Sequence, residues 1–574
     1  MRRTAKYLLL SLAAISVGQT ISAQYDQEII SVGDRTLTVD NAFKIDELPS
    51  TIDSVPQAAN ITYRVIPRQI EVNYAPKQIK AANLRLQEPL AKLYRGYAKA
   101  GIGLYVTPLI DVRYNSIRNR DWNYGISAQH FSSQGGIPKL AESAFSENHA
   151  GFFAKKYISK HTVEAGLNYN RDAIHYYGFD LGDSKLAKDK YKQSFSTIAG
   201  HAEVMSHYSD STQIQHRIRV DYRNMTDKFK GREGNFLLSA EGAKTQDENR
   251  YELLFQVDAN SLSMAQPNSI FVDTVLNITP IPDLTTKGGI IRLEPTIHTK
   301  RGALTADVGL GFAFETGDPE SLGHIYPKAF VSYSLFNDLF TPYAGLTGSL
   351  KRNSYYSLSQ DNPFITHFSK LKNTSEDFTF YGGITGTILD NIGFNAKVSY
   401  TSYADVPLYI NDVLYSAENR FNVIYEDMKV FNVMGELNYV YNKKLSVMAR
   451  LELIKYNMRT QERAWNLPGT KVTLDARYDL DDRFVVKLQM FAQGRRYARA
   501  TKRTGILSPE SDLSELQPIA MRAFVDGSLA LEYRYTKRIS AFIEMNNFSG
   551  GRYQRFYRYP IQSVMLLGGL TYSF

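Results

Sequence analysis

The last thirteen residues, QSVMLLGGLTYSF (562 to 574), decide the fold class. Successive side chains of an extended strand point to opposite sides, so this stretch divides into two faces. One face is apolar and carries Val564, Leu566, Gly568, Leu570, Tyr572 and Phe574. The other carries Ser563, Met565, Leu567, Gly569, Thr571 and Ser573. We therefore expect a β-strand with one lipid-facing side.

The same alternation recurs along the chain from Tyr94 onward. In residues 445 to 453, apolar residues at every odd position alternate with Ser446, Arg450 and Glu452. Soluble β-sandwiches alternate in the same way, so the pattern by itself leaves both classes open. The connections favour a membrane barrel, because tight turns such as 442 to 444 alternate with long loops such as 402 to 426.

Division of the chain at these turns gives a strand count and a fold. The prediction is an all-β chain that forms a transmembrane antiparallel β-barrel of about 22 strands over residues 94 to 574. An even strand number places both termini on one side of the membrane, which is the periplasm in bacterial barrels. The first hairpin demands an unusually short outer turn at Thr107 and Pro108.

The N-terminus has the features of a secretory signal peptide over residues 1 to 23. Arg2, Arg3 and Lys6 precede an apolar run that is too short to span a membrane, and small residues follow up to Ala23. The formal charge of +9 becomes +6 without these three cations (9 − 3 = 6). The basic residues form no continuous stripe, which argues against a nucleic-acid partner. Membrane lipid is the expected surrounding.

Residues 24 to 93 differ in pattern from all that follows. Five prolines interrupt the segment, and only two short runs resemble strands. At roughly 70 residues it is too small for a substantial core of its own. We expect a short extended arm in the periplasm or the barrel lumen.

Several stretches resemble those of TonB-dependent outer-membrane receptors, in particular TonB-receptor-like barrels of Bacteroidota. They are KAGIGLYVTPLIDVRYNS (99 to 116), QHFSS (129 to 133) and HYYGFD (175 to 180), and the resemblance covers residues 61 to 574. It implies an outer-membrane barrel that binds or passes a solute. Such receptors carry a large N-terminal plug, for which the arm is too short, so the resemblance is to a plug-less form.

The resemblance also implies partners. Tyr572 and Phe574 resemble the aromatic C-terminal signal that outer-membrane barrels present to their insertion machinery. TonB, or another periplasmic protein, would pair with a short segment near the mature N-terminus. The candidate segment is Glu28, Ile29, Ile30, Ser31 and Val32, although a run of this kind also occurs by chance.

Charged residues on the inward faces of the later strands are candidates for the lumen lining. They are Glu436, Arg450, Glu452, Asp475, Arg477, Glu532 and Arg534. They could select a solute, or they could simply pair with one another, because the lumen of a large barrel is polar in any case.

Catalysis is not expected. The sequence has no cysteine, and it lacks a phosphate-binding loop, a nucleophile motif or histidines at metal-ligand spacing. His130 and His175 lie beside aromatic residues and are expected to pack against them. We predict no cofactor and no metal. The alternative to a transport or receptor barrel is a non-transporting barrel that anchors partner proteins in an envelope complex.

Overall fold

The computed structural model describes residues 93–179, 188–210, 212–264, 284–317, 321–336, 338–366, 371–389, 391–413, 416, 418–442, 444–481, 483–501 and 516–574. The predicted signal peptide, almost all of the predicted arm and the segment from Glu28 to Val32 lie outside these residues. These three assignments stay predictions.

The described residues form strands almost throughout. The strands are β1 (Gly96–Gly103), β2 (Thr107–Asn115), β3 (Trp122–Ser133), β4 (Phe145–Ile158), β5 (His161–His175), β6 (Lys192–Ser206), β7 (Gln215–Asp227), β8 (Arg232–Gln246), β9 (Asn249–Met264), β10 (Leu284–Arg301), β11 (Leu304–Gly317), β12 (Leu322–Tyr333), β13 (Phe340–Lys351), β14 (Thr374–Ile388), β15 (Ile392–Asn411), β16 (Phe421–Tyr441), β17 (Leu445–Met458), β18 (Thr470–Leu480), β19 (Phe484–Gln493), β20 (Arg496–Ala500), β21 (Gln517–Met521), β22 (Phe524–Arg534), β23 (Ile539–Asn546), β24 (Gln554–Phe556), β25 (Tyr559–Pro560) and β26 (Met565–Ser573). One short α-helix, α1 (Tyr355–Asp361), and a 3-10 helix (Lys188–Tyr191) lie in loops.

Twenty-two of these strands form a single antiparallel sheet that closes on itself. Each wall strand pairs with the next one, and β1 pairs with both β2 and β26. The pairs β20–β21 and β24–β25 are separate two-stranded hairpins within loops. The predicted strand number and the antiparallel barrel are confirmed.

The wall turns an apolar face outward. In β26, Leu566 and Leu570 are 41% and 60% exposed, whereas Leu567 between them is 2% exposed. A belt of exposed aromatic residues also circles the end of the barrel at which the connections are short, which we call the short-turn end. Its members include Trp122, Tyr251, Tyr333, Phe340, Tyr441, Tyr478, Phe484, Tyr533, Tyr572 and Phe574. Aromatic belts of this kind lie at membrane interfaces.

The seam between the first and last strands is tightly closed. Gly96 and Phe574 exchange backbone hydrogen bonds of 2.8 and 2.9 Å. On the lumen side, the Lys99 ammonium reaches across β26 to the Glu544 carboxylate at 2.6 Å. Gly569 lies between them, where a Cβ would come within 2.1 Å of the Ala100 carbonyl oxygen. The seam therefore depends on a residue without a side chain.

Two regions differ in detail from the sequence-based prediction. The turn between β1 and β2 lies at residues 104–106 and not at Thr107 and Pro108: Tyr105 and Val106 have positive φ, and β2 begins directly at Thr107. Strand β15 continues to Asn411 and β16 begins at Phe421, so most of the loop predicted at 402 to 426 forms a long hairpin. A bulge between Tyr403 and Val406 interrupts that hairpin, which hid its continuation in the sequence pattern.

Within the described residues, no helix has the length and hydrophobicity needed to cross a membrane.

Candidate functional site: a loop cap over the barrel

The long loops at the other end of the barrel, the long-loop end, pack against one another. Their described parts, which we call the loop cap, are residues 134–144, 176–179, 188–191, 228–231, 352–366, 412–413, 416, 418–420, 494–501, 516–523 and 547–564. Together with the strand ends beneath them they share one hydrophobic core of buried residues. That core comprises Ala141, Tyr176, Phe179, Tyr191, Phe195, Met225, Leu262, Met264, Tyr355, Leu358, Phe364, Ile365, Phe421, Phe556 and Tyr559.

Three aromatic rings meet in the loop cap. The Phe364 and Tyr559 rings stack with centroids 3.7 Å apart, and the Tyr177 ring lies edge-on to them at 5.8 and 4.8 Å. Tyr177 follows β5, Phe364 lies between β13 and β14, and Tyr559 lies between β23 and β26. Eight, eight and six wall strands separate these three loops around the barrel. The contact therefore spans the opening of the barrel rather than one edge of it.

Hydrogen bonds also connect Tyr559 with the loop after β5, by way of Asn419 in the loop between β15 and β16. The Tyr559 hydroxyl donates to the Asn419 carbonyl oxygen, and the Asn419 side-chain amide donates to the Tyr176 carbonyl oxygen at 2.9 Å. Gly178 lies so close to the Tyr559 ring that a Cβ there would come within 2.7 Å of it. Burial raises the pKa of Tyr176 to about 12 and that of Tyr559 well above its usual range. Both phenols are therefore neutral at physiological pH.

Helix α1 is fastened to the barrel wall by a buried carboxylate. Glu233 of β8 accepts hydrogen bonds from the backbone N–H groups of Tyr355 and Tyr356, at 3.1 and 2.7 Å. Ser354 forms a capping box with Ser357 at the same end of the helix. Free N–H groups at a helix start favour such acceptors, and a negative charge there also suits the helix dipole. The first turn of α1 is thus held over the lumen.

A second set of contacts holds α1 against β6 and β7. The Tyr355 hydroxyl donates to the Asp227 carboxylate at 2.8 Å, and the Arg223 guanidinium stacks over the Tyr356 ring at 4.0 Å. Asp227 also accepts hydrogen bonds from the Gln193 side chain and the Gly231 N–H group. The adjacent strands β7 and β8 therefore both contribute side chains that position the helix.

A buried carboxylate joins the loops that carry Asn419 and Tyr559 to a third loop, which contains Thr501. The Arg558 guanidinium lies 2.5 Å from the Glu418 carboxylate, whose side chain is 0% exposed. The Glu418 carboxylate also accepts a hydrogen bond of 2.8 Å from the Thr501 N–H group. Because a buried charge without a partner is costly, each of these loops depends on the other two.

The hairpin β24–β25 is held by two arginines. Arg496 donates to the carbonyl oxygens of Arg555 and Gln554 at 2.7 and 2.5 Å, and Arg555 donates to the Asp361 carbonyl oxygen at 3.3 Å. Burial raises the pKa of the Asp361 carboxyl, although Lys351 and Arg555 partly oppose this. The last long loop of the chain is thereby joined to the C-terminal end of α1.

The seven charged residues proposed from the sequence as lumen lining lie on the wall strands, opposite the exposed apolar face. Glu436 and Arg450 are register partners on β16 and β17, with the carboxylate 2.5 Å from the guanidinium. Arg477 pairs with Asp479 at 3.2 Å, and Arg534 with Glu532 at 3.7 Å. Glu452 faces Lys471, and Asp475 faces Gln489. Their role in selecting a solute stays a prediction.

Sequence reasoning missed a longer row of charges on the earlier strands. Across β4, β5 and β6, Glu164 lies 2.6 Å from Lys155 and 3.6 Å from His201. Across β6, β7 and β8 a second row follows, in which Glu203, Arg217, Arg219 and Glu241 contact one another at 3.2 to 3.7 Å. These residues alternate with apolar ones just as the proposed set does, so the same pattern could have identified them.

The two histidines of the sequence motifs make polar contacts with neighbouring strands and loops. His130 Nδ1 lies 2.7 Å from the Asn148 side-chain oxygen, and His175 Nδ1 lies 2.7 Å from the Ala144 carbonyl oxygen. The HYYGFD motif itself contributes Tyr176, Tyr177 and Phe179 to the loop cap. In the part of the chain that the structure describes, no cluster of three or more His, Asp or Glu side chains could hold a metal ion.

The closed wall, its apolar outer face and its aromatic belt define the class: a 22-stranded β-barrel of the outer-membrane type. No protein-family model matches the sequence, and no curated protein matches it either. Solved structures do match the fold. The ferripyoverdine receptor of the outer membrane of Pseudomonas aeruginosa has a TM-score of 0.63 and 13% identity, with 84% of this chain and 72% of the receptor covered.

Two further structures agree with this match. The siderophore receptor PirA from Acinetobacter baumannii has a TM-score of 0.63 at 10% identity, and the match covers 85% of this chain and 81% of PirA. The FrpB iron transporter from Neisseria meningitidis has a TM-score of 0.63 at 9% identity, with 84% and 82% covered. This chain therefore shares the barrel fold of these two receptors and this transporter. At such low identity the likeness concerns the fold alone.

Proposed function

We propose that this protein is a transport or receptor barrel of the Gram-negative outer membrane, which binds or passes a solute through its lumen. The loop cap carries this proposal, because it spans the long-loop end with a single packed core. A 22-stranded wall encloses a wide lumen that would leak if it stayed open. Both termini then lie in the periplasm, and the loop cap faces the outside of the cell.

The shared fold supports the choice of a receptor over an enzyme. The matched proteins are receptors and transporters, named for a ferric siderophore, a siderophore and iron. By analogy with them, an iron chelate such as ferripyoverdine is the first solute to test. The polar, charge-paired lumen wall suits a hydrated solute better than an apolar one.

The finer form of the proposal is a barrel that works without a full plug. In it, the loop cap closes the outer opening, and residues 24 to 93 narrow the lumen from the periplasmic side. A barrel held closed from its outer side has less need of a folded plug domain. Bacteroidota TonB-receptor-like barrels remain our choice of group, on the strength of the three sequence motifs.

Single-channel conductance in planar bilayers tests the gating. We expect a low conductance for the intact protein and a higher one after Tyr559→Ala, which removes the ring shared by three loops. Deletion of residues 24 to 90 should raise the conductance further. A large, steady conductance of the intact protein would contradict closure by the loop cap, and no change on deletion would remove the arm from the proposal.

Energy coupling through TonB requires a test of its own. We propose that residues Glu28 to Val32 add as a strand to a periplasmic partner, as such segments do. Ile30→Pro and Val32→Pro would remove strand pairing, because proline lacks the N–H donor. Uptake should fall in both variants, and unchanged uptake would show that this segment does not couple energy.

A second candidate is a non-transporting scaffold that anchors partners in an envelope complex. The buried ion pair between Glu418 and Arg558 favours it, because a loop cap fixed in this way is costly to open. Purification in mild detergent followed by mass spectrometry distinguishes the two candidates. A stoichiometric partner would support the scaffold, and a monomer without partners would count against it.

A further inference from the structure

Two histidines meet on the outer surface of the barrel at the short-turn end. His161 of β5 and His216 of β7 are two strands apart, and their ring centroids lie 5.3 Å from each other. Ser206 of β6 lies between them. It is the register partner of His161, and its hydroxyl oxygen accepts a hydrogen bond of 2.7 Å from the backbone N–H group of His216. His161 shares its face of the wall with the exposed Val163, and His216 shares it with Ile218. Both imidazoles therefore face outward, at the level of the aromatic belt.

A tyrosine and a lysine complete this cluster. The Tyr208 hydroxyl lies 3.4 Å from His161 Nε2, and its ring centroid is 6.0 Å from that of His216. The Lys160 ammonium lies 5.7 Å from the Tyr208 ring centroid. Four groups able to donate hydrogen bonds, of which one is cationic and two can become so, thus converge on one patch.

Gly242 leaves an open space among the outward side chains beside this patch, which we call the groove. Gly242 of β8 is the register partner of His216, and no atom lies within 4 Å of the position that a Cβ would take there. The exposed Leu253 pairs with Gly242 on its other side, and Ile218 flanks the groove on β7. An acyl chain could lie in this groove with its headgroup at the histidines.

We propose that the cluster of Lys160, His161, Tyr208 and His216 binds the phosphate of an anionic phospholipid, with one acyl chain over Gly242. A phosphate accepts several charge-assisted hydrogen bonds at once, which this arrangement of donors provides. The groove favours a lipid over free phosphate, because only a lipid also covers the apolar surface at Leu253.

The charged and polar groups around the two histidines bear on how an anion would bind there. The other ionisable groups around them are Lys160, Tyr208 and Asp210 in the adjoining turns, His207, and Lys244 on β8. His207 is bonded to Thr162 at 2.6 Å, and that contact separates it from the cluster.

Native mass spectrometry of the full protein in detergent tests the proposal, with phosphatidylglycerol, cardiolipin and phosphatidylethanolamine added separately. We expect the two anionic lipids to bind better than phosphatidylethanolamine. The double change His161→Gln and His216→Gln should weaken phosphatidylglycerol binding about tenfold, equal to roughly 1.4 kcal/mol. Gly242→Val should weaken it as well, because it fills the groove without altering charge.

His207→Gln is the matched control and should leave binding unchanged. A heat-dependent shift in electrophoretic mobility shows that each variant is folded. Equal binding of all three lipids, or full retention in the double variant, would overturn the proposal. A third result would also overturn it: millimolar inorganic phosphate displaces phosphatidylglycerol, and Gly242→Val binds this lipid as well as the unchanged protein does. The site would then be one for free phosphate.

Discussion

The rings of Phe364 and Tyr559 stack at 3.7 Å with an interplanar angle of 21°, although their loops leave the wall eight strands apart. A contact of this kind makes the loop cap a single unit rather than a set of independent loops. It also makes the loop cap sensitive to single substitutions in its core. The barrel wall fixes the ends of the loops, so neighbouring side chains cannot move in to fill the cavity that a lost ring leaves.

Tyr559→Ala should loosen the whole loop cap. Loss of a buried aromatic side chain lowers the free energy of opening of the loop cap by about 3 kcal/mol. Amide hydrogens that exchange when the loop cap opens should therefore exchange roughly a hundredfold faster. The faster exchange should appear in peptides around Tyr176 and Phe364 as well as around the substitution. Tyr535→Ala, at an exposed position of the short-turn end, is the control and should change none of them. Faster exchange near residue 559 alone would show that the loops open separately.

Glu418→Gln should destabilise the loop cap by about 3 kcal/mol, because the buried Arg558 guanidinium loses its carboxylate. Hydrogen exchange or limited proteolysis of the loops measures the effect. Glu462→Gln is the matched control: that carboxylate lies 3.5 Å from Arg463 on the surface, and its loss should change stability by less than about 0.5 kcal/mol. Equal effects of the two substitutions would contradict a buried pair.

The loop cap should open at alkaline pH. The folded-state pKa of Tyr176 is raised to about 12, and those of Tyr355 and Tyr559 are also raised by burial. Between pH 10 and 12 the folded state therefore keeps protons that the unfolded state has lost, so stability falls as pH rises. For each such tyrosine, the free energy of unfolding falls by about 1.4 kcal/mol for every pH step of one across this range.

Tyrosinate absorbance followed together with hydrogen exchange checks this expectation. Exposed tyrosines should ionise near pH 10, and the buried ones in a later step that coincides with opening of the loop cap. Tyr176→Phe should make the transition less steep. Ionisation of all tyrosines in a single step, with unchanged hydrogen exchange of the loop cap up to pH 12, would contradict opening at alkaline pH.

Gly569→Ala should prevent proper closure of the barrel, because the new Cβ would come within 2.1 Å of the Ala100 carbonyl oxygen and 2.8 Å of the Phe542 ring. The adjacent Gly568→Ala is the control, since its Cβ would lie 3.7 Å from the Phe542 carbonyl oxygen, an ordinary van der Waals contact. The fraction of heat-modifiable, folded barrel in outer-membrane preparations measures the outcome. Equal yields of the two variants would show that the seam tolerates a side chain.

The wall was predictable from the sequence because lipid imposes a strict rule on it. Every second side chain must be apolar, so Leu566 and Leu567 can be assigned to opposite faces by counting alone. Pairs such as Glu436 with Arg450 follow from the same count, once the tight turn between their strands sets the register.

The loop cap was not predictable in this way. Its core comes from irregular segments, where burial follows no fixed period and depends on contacts between distant parts of the chain. The HYYGFD motif was visible, but nothing in it indicates that Tyr177 meets Phe364 and Tyr559. Glu418 and Arg558 are likewise ordinary loop residues until the structure shows them as a buried pair.

The position of Tyr559 along the chain sets an order of events during biogenesis. The loop that carries it is the last long one, and only β26 follows. The loops around Tyr177 and Phe364 are synthesised much earlier and lack their common partner until then. The opening at the long-loop end therefore becomes sealed only as the final hairpin arrives, when β26 is also ready to meet β1. Completion of the seal and closure of the wall become one late step, so a chain truncated before Tyr559 would have neither a sealed loop cap nor a closed wall.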